Sequence, residues 1–366
     1  AANQRHVEEQ VPSPVLLQLL PTNAPESTPS IRRGSFYGAG GTLLGMQIVN
    51  VCLTIVTLGA YHFWAKAKIR RYLFSQTAFA GDRFAYHGTG KELYQGFLKA
   101  MVVFGIPYFS LGAAHSFLAL PQSVDFLLQA MAALVLFLYV PVAIVNARRY
   151  RCTRTSWRGI RFSFRGRTVD FLKLYFKGWL FTLLTLGTYY PYFQTQRQAF
   201  LHSHTYFGNQ RFQFTGHGSG LMVPFAVTLF TTYAVLCLCG LALALQLTNA
   251  GLTLLLIPFV LGPVWVWLLG QKQKYYWDHT TFGEARFSSS ITWQKLFGLY
   301  LGNLALLLLT LGWAWPWVTV RNARFFIGTL SLQGLTDLDR VLQDTTETSV
   351  TGEGLSNLLD TGFDMD

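Results

Sequence analysis

The stretch that decides the fold reads LTIVTLGAYHFWAKAKIRRY, from Leu53 to Tyr72. An uncharged apolar run ends at Thr57-Leu58-Gly59, aromatic side chains follow from Tyr61, and bases begin at Lys66. An apolar helix, an aromatic belt and a basic flank in this order are typical of a segment that leaves the hydrocarbon core of a membrane. The stretch therefore predicts an integral membrane protein.

Composition supports this prediction over the whole chain. Of 366 residues, 51% are hydrophobic, 16% are aromatic and only 13% are charged, whereas soluble domains carry about 25% charged residues. The abundant aromatic residues exclude a chain that is disordered as a whole. Four cysteines, two of them close together in an apolar run, do not form a disulfide framework.

The net charge of +12 is unevenly distributed along the chain. Residues 34–336 contain 25 Lys and Arg and six acidic residues, whereas residues 337–366 contain eight acidic residues and one arginine. Because the bases lie between long uncharged runs, they indicate loops that face an anionic membrane leaflet rather than nucleic acid. The expected partner is a lipid bilayer with anionic headgroups.

Five stretches carry no base and at most one acidic residue: 34–65, 100–147, 178–196, 212–271 and 296–320. About 20 apolar residues cross a membrane as a helix, so the second and fourth stretches are long enough for two crossings each. The crossings are predicted near 42–64, 99–119, 125–146, 175–194, 221–244, 252–270 and 296–318. The expected fold class is an all-α integral membrane protein with about seven transmembrane helices, internal repeats and short strand-like elements at the interface.

Two elements recur along the chain. The first is the Thr-Leu-Gly turn signal, at 57–59, 185–187 and 310–312, with Asn50 and Asn303 seven residues before the first and third copies. The second is a short alternation of aromatic residues between glycines, as in Phe79 to Gly88, Gly159 to Gly166, Phe207 to Gly216 and Phe282 to Phe287, with a weaker copy at Phe36 to Gly40. Such alternation predicts short strands or hairpins with one buried face.

These motifs together carry a resemblance to a known family. The segments Phe36–Gly41, Leu53–Gly59, Tyr61–Tyr72 and Phe79–Gly90 resemble the YjgN family of bacterial inner-membrane proteins, and the resemblance extends over about residues 34–330. It implies a multi-pass protein of the bacterial inner membrane. It implies no catalytic residue and no substrate.

The predicted organisation has three parts. Residues 1–31 and the acidic tail 337–366 are expected to be disordered, and 32–336 form a membrane domain with repeats at about 35–158, 159–281 and 282–330. If the Thr-Leu-Gly runs cross the membrane, the basic loops favour an external amino terminus and an internal carboxyl terminus. If these runs are re-entrant, every strand-like element and every basic loop faces the cytoplasm.

Candidate functional residues fall into three groups. Thr57, Gly59, Thr185, Gly187, Thr310 and Gly312 are candidate helix breaks, which expose backbone groups at membrane depth in many transporters, although helices that simply end at the interface are the alternative. Asn50 and Asn303 are expected to hydrogen-bond between helices or to contact a ligand. Arg70, Arg71, Arg148, Arg149, Arg197 and Arg321 are expected to contact lipid headgroups.

Two classes of function remain open. One is a transporter-like protein with a site between pseudo-repeats. The alternative is a non-transporting scaffold or envelope-stress component that binds lipid or a partner protein through residues 148–167 and the acidic tail. No catalytic constellation, nucleotide motif or metal-ligand spacing is present in the sequence, so no enzyme activity, cofactor or metal is expected.

Overall fold

The computed structural model describes residues 31–117, 121–246 and 248–334. The two ends predicted to be disordered lie outside these residues, except for Ile31. Within the described ranges the chain alternates very short strands with pairs of helices. This alternation follows from the sequence, in which aromatic residues alternate with polar ones between long apolar runs.

The strands are β1 (Arg32–Phe36), β2 (Thr77–Phe79), β3 (Asp82–Tyr86), β4 (Thr155–Trp157), β5 (Ile160–Phe164), β6 (Thr205–Phe207), β7 (Gln210–Phe214), β8 (Thr280–Phe282), β9 (Ala285–Ser289) and β10 (Leu330–Gln333). The helices are α1 (Gly40–Val56), α2 (His62–Gln76), α3 (Gly90–Ala100), α4 (Ile106–Phe117), α5 (Gln122–Thr153), α6 (Thr168–Leu184), α7 (Tyr190–Ser203), α8 (Met222–Ala244), α9 (Ala250–Asp278), α10 (Trp293–Leu309) and α11 (Trp315–Gly328). A π-helical turn, Met101–Gly105, joins α3 to α4, and a 3-10 turn, Gly218–Leu221, leads into α8.

The ten strands form one closed antiparallel barrel. Going round the barrel, each strand pairs with its neighbours in sequence, and β1 closes the circle by pairing with β10. Two-residue turns connect four of the strand pairs, and both residues of Ala80-Gly81 and of Arg158-Gly159 have positive φ, as the tight turns of β-hairpins require. The barrel has no unpaired edge.

A unit of one strand, two helices and one strand occurs five times around the barrel. The five helix pairs are α1 with α2, α3–α4 with α5, α6 with α7, α8 with α9, and α10 with α11. Each pair leaves the barrel and returns to it, so all ten strands lie at one end of the molecule. Because β1 pairs with β10, both ends of the described domain also lie there.

The expectation of an all-α protein with seven crossings is therefore wrong. Among the residues that the structure describes, four helical segments are long and apolar enough to cross a membrane: Gly90–Ala114, Gln122–Thr153, Gly218–Ala244 and Ala250–Asp278. They form the two long hairpins expected from the stretches 100–147 and 212–271. The three Thr-Leu-Gly stretches form shorter hairpins instead, which is the re-entrant alternative.

The geometry of the Thr-Leu-Gly turn explains this correction. At the end of α1, Leu58 and Gly59 have φ of 50° and 93°, which reverses the chain after Thr57. The Tyr61 amide donates a hydrogen bond of 2.9 Å to Thr57 Oγ1 and so begins the returning helix. An apolar run with the length of one span thus contains one helix, a turn and the start of the next helix.

The tips of the three short hairpins are apolar and exposed. Leu58, Leu186 and Leu311 are 97%, 84% and 91% exposed. The backbone amides at the tips are satisfied internally, as in the 2.7 Å bond from the Gly59 amide to the Thr54 carbonyl. Exposed leucine over a satisfied backbone suits a hydrocarbon environment, where no water is present to pair with polar groups.

Candidate functional site: the barrel lumen

Eight aromatic side chains fill the lumen of the barrel, one from each of β2 to β9. They are Phe79, Phe84, Trp157, Phe162, Phe207, Phe212, Phe282 and Phe287. Their rings contact one another in a closed circle, with centroids 4.8 Å apart for Phe162 and Phe207 and 6.4 Å apart for Phe79 and Phe287. Alternation along each strand directs these side chains inward. We call this set the aromatic ring.

A cavity of about 460 Å³ adjoins the aromatic ring, and we call it the chamber. Its other walls include the last turns of the returning helices, which contribute Phe74, Arg148, Arg151, Cys152, His202 and Trp277. Four of these lie three residues before the first residue of the following strand. The same position in each unit therefore faces the same space.

Threonines fix the junctions between these helices and the barrel. Thr77, Thr155, Thr205 and Thr280 each open a strand, and each hydroxyl donates to the carbonyl four residues earlier at 2.7–2.9 Å. These bonds satisfy carbonyls that a helix end otherwise leaves unpaired. They hold the helix ends, and with them the chamber walls, in a fixed orientation.

Two arginines line the chamber, the half-buried Arg148 and the exposed Arg151. The more buried one, Arg148, is the stronger candidate to bind a ligand. Its Nη2 donates to Thr205 Oγ1 at 3.3 Å, whereas its buried Nε has no hydrogen-bond partner among the described residues. None of the residues lining the chamber is acidic. Two acids elsewhere pair with other arginines, since Glu92 binds Arg154 at 2.7 Å and Asp82 binds Arg158 at 3.1 Å.

His202 lies beside Arg148 at the barrel end of α7 and is only 9% exposed. Its Nδ1 is 3.1 Å from Thr280 Oγ1, and its Nε2 contacts the side chain of Gln198. Burial, together with the nearby Arg148 guanidinium, lowers the pKa of His202 to about 4. The imidazole is therefore neutral at pH 7 and leaves Arg148 as the positive charge beside it.

The predicted helix breaks lie at three separate hairpin tips. Thr57, Thr185 and Thr310 end their helices, and Gly59, Gly187 and Gly312 follow with φ of 93°, 92° and 88°. Each threonine hydroxyl accepts from the amide four residues later, at 2.9–3.1 Å. The structure thus places them in turns, at the ends of the short hairpins that are remote from the barrel.

The two asparagines are both buried. Asn303 donates from Nδ2 to Asn322 Oδ1 at 2.7 Å, which joins α10 to α11. The Asn50 side chain has no hydrogen-bond partner among the described residues. The structure does not bring Asn50 and Asn303 together at a common site.

The bases predicted to contact headgroups occupy different surroundings. Arg71 and Arg149 donate to the carbonyls of Gly88 and Gly166 at 3.4 and 3.0 Å, and Arg197 donates to Gln194 Oε1 at 2.8 Å. Arg70 is half-buried and Arg321 is exposed. Arg148 alone of the six lines the chamber.

Sequence reasoning missed the chamber and found only part of the aromatic ring. The spacing Thr-x-Phe or Thr-x-Trp, which opens four strands, is visible in the sequence at 77–79, 155–157, 205–207 and 280–282. In the strand that follows each of these, an Arg-Phe pair occupies the second and third positions, at 83–84, 161–162, 211–212 and 286–287. These two spacings together were the available signal for a repeated barrel.

Helices long enough to span a bilayer, apolar hairpin tips and basic helix ends define a multi-pass membrane protein. The chain belongs to the family described as "Bacterial protein of unknown function (DUF898)", which it matches over residues 32–358. It is similar to the inner membrane protein YjgN of Escherichia coli, with 34% identity over 130 residues, and to that of Salmonella typhimurium, with 33% identity over 131 residues. The predicted resemblance and the predicted location in the bacterial inner membrane are confirmed.

These alignments cover 35–36% of this chain and 30% of each relative. No solved structure matches the fold.

Proposed function

We propose that this protein is a transporter-like binding protein of the inner membrane, and that its chamber takes an amphipathic anion. The ligand class is a carboxylate or phosphate headgroup on an apolar body. The chamber lies between the five units, which we regard as copies of one repeated element. Arg148 is the observation that carries the proposal.

Arg148 is half-buried, and its Nε atom is fully buried. A guanidinium group that is partly removed from water without a counter-ion, and a buried N–H group without a partner, both lower stability. Nothing acidic among the lining residues offsets this cost in Arg148, and its Nε has no partner among the described residues. A bound anion would satisfy both the charge and the free N–H. Burial that costs stability without a ligand is a common mark of a binding site.

The remaining walls favour an apolar body on that anion. Trp157, Phe207 and Phe282 are buried beside the chamber and offer ring faces and edges. The volume of about 460 Å³ lies in the usual range for small-molecule pockets, about 300–1,000 Å³. A small aromatic or aliphatic carboxylate fits both the volume and the lining.

The bases supply the orientation. The positive-inside rule places basic flanks in the cytoplasm, and the five returning helices, α2, α5, α7, α9 and α11, each carry bases in the half that joins the barrel. We therefore orient the barrel toward the cytoplasm, with the hairpin tips in the bilayer. In this orientation the aromatic ring blocks the barrel lumen next to the chamber, as hydrophobic constrictions block the pores of channels.

The test uses 1-naphthoate as the probe and the full chain in lipid nanodiscs. Arg148→Gln should weaken naphthoate binding about 10- to 100-fold, because charge-assisted hydrogen bonds contribute about 1.5–3 kcal/mol. Arg211→Gln, on the outer surface of β7, is the matched control and should bind like the parent. Equal affinity of the Arg148→Gln variant and the parent would refute the proposal, as would equally tight binding of neutral naphthalene methanol.

A second function is a non-transporting scaffold that binds lipid or a partner protein. The exposed arginines on the outside of the barrel favour it. Uptake of radiolabelled naphthoate into proteoliposomes separates the two functions. Uptake that Arg148→Gln abolishes supports transport, and binding without uptake supports the scaffold.

A further inference from the structure

Five arginines surround the barrel on its outer face. They are Arg33, Arg83, Arg161, Arg211 and Arg286, one from each of β1, β3, β5, β7 and β9. All five are exposed. Four of them directly precede an inward-facing phenylalanine, so alternation along the strand points the arginine outward. We call this set the arginine girdle.

The girdle is regular because the strand register is regular. Each arginine lies opposite the middle of the paired strand, at Ser331, Ala78, Ser156, Tyr206 and Thr281. None of these partners is acidic. Ten strands at a spacing of about 4.8 Å give a circumference of about 48 Å, so neighbouring girdle residues are about 10 Å apart.

Two of the girdle arginines contact neutral groups. The Arg83 guanidinium lies 5.7 Å from the centroid of the Tyr37 ring, and Arg211 Nε donates to the Ser203 carbonyl. The described barrel strands and their turns hold two acids, Asp82 and Glu284, and Asp82 pairs with Arg158. A spacing close to the Debye length of about 10 Å lets several girdle residues attract one polyanion together.

The same chain carries a polyanionic segment. Residues 337–366 carry eight acidic residues and one arginine, a formal charge of −7. The chain reaches them from β10, whose Ser331 and Gln333 pair with Arg33 and Arg286. The described chain ends at Gly334, directly after this strand. Thirty residues reach at most about 100 Å, twice the circumference.

We propose that residues 337–366 bind the arginine girdle of the same chain and cover the outer face of the barrel. The acidic side chains would contact successive arginines, so the tail would shield the girdle from anionic lipid and from acidic proteins. This interaction is independent of the chamber and of its ligand. It holds by charge rather than by a unique sequence.

The test measures the distance from the tail to the barrel in the full chain in nanodiscs. Energy transfer is measured between dyes at Asn209→Cys, in the β6–β7 turn, and Ser356→Cys, after the native cysteines are replaced. Transfer should be efficient at low salt and fall at least about twofold near 1 M salt, where the Debye length is about 3 Å. Neutralising the tail acids as Asn and Gln should give the high-salt value without altering the barrel.

Neutralising the five girdle arginines as Gln should have the same effect, whereas Arg321→Gln, an exposed base outside the girdle, should leave the transfer unchanged. A tail of the same composition in scrambled order should retain it. An energy-transfer efficiency that does not change with salt or with the charge of the tail would overturn the proposal. Transfer seen only between dyes on separate, mixed copies would also overturn it, since it would assign the tail to a second molecule.

Discussion

Arg148 and His202 show how single residues set the character of the chamber. Both lie near helix ends next to the barrel, where Arg148 is half-buried and His202 is buried. An arginine keeps its charge when it is buried, whereas a histidine loses its proton. The result is a fixed positive charge on Arg148 beside a neutral imidazole, which suits an anion and gives the chamber a defined response to acid.

His202 predicts a loss of stability in acid. Its folded pKa of about 4 lies below its ordinary value of 6.5, so the unfolded chain binds a proton between these pH values that the folded chain does not. The free energy of unfolding should therefore fall as the pH drops from about 6.5 to about 4, by up to about 3 kcal/mol, and be unaffected by this group above that window. Denaturation curves of the parent and His202→Gln measure it. Curves with the same pH dependence would contradict the assignment.

A side chain at Gly187, in the turn of a short hairpin, should lower the stability of the protein. Its φ of 92° is unfavourable for any residue with a Cβ, so Gly187→Ala should destabilise the protein by about 1–2 kcal/mol. Gly240→Ala is the matched control, since Gly240 lies within α8 and a Cβ there meets open space. The control should be neutral or slightly stabilising. Thermal unfolding that shifts equally in both variants would argue against the turn.

Among the secondary-structure elements, the sequence predicts individual turns and strands well, but it does not predict which strands pair with one another. The Thr-Leu-Gly turn and the alternating aromatic residues are readable because each depends on a few neighbouring residues. A run of about 20 apolar residues does not distinguish one crossing helix from a hairpin, since both bury the same apolar length. In the sequence, the arginines before Phe84 and Phe162 resemble ordinary loop charges. Only the strand pairing shows that they lie on the same outer face of the barrel.

The aromatic ring predicts a large effect from a single lumen residue. Phe207 is 2% exposed and contacts rings from neighbouring strands, so Phe207→Ala should cost about 3–5 kcal/mol. Phe230→Ala, on the outward face of α8 where the ring is 72% exposed, should cost far less. Guanidinium unfolding of both variants in detergent checks this. Similar losses would mean that the lumen is not the core.

At the scale of the whole molecule, closure of the barrel was beyond sequence reasoning. Strands of three to five residues have little pairing preference of their own. The closing pair joins Arg32 to Leu332, 300 residues apart. Such a pairing depends on the helix pairs that bring the strands together, and no local pattern reports it. The exclusion of a soluble globule and the membrane location, by contrast, follow directly from composition.

All five helix pairs leave the barrel from one end of the molecule, and cysteine accessibility provides the decisive test of this placement. In a chain without native cysteines, the barrel turns are sampled by Ala80→Cys, Arg158→Cys, Asn209→Cys and Glu284→Cys, and the far ends of the long hairpins by Gln122→Cys and Gln246→Cys. A membrane-impermeant maleimide applied to oriented inner-membrane vesicles should label the four turns from one side and the hairpin ends from the other. Labelling of Ala80→Cys and Arg158→Cys from one side, with Asn209→Cys and Glu284→Cys from the opposite side, would restore seven crossings and contradict the barrel.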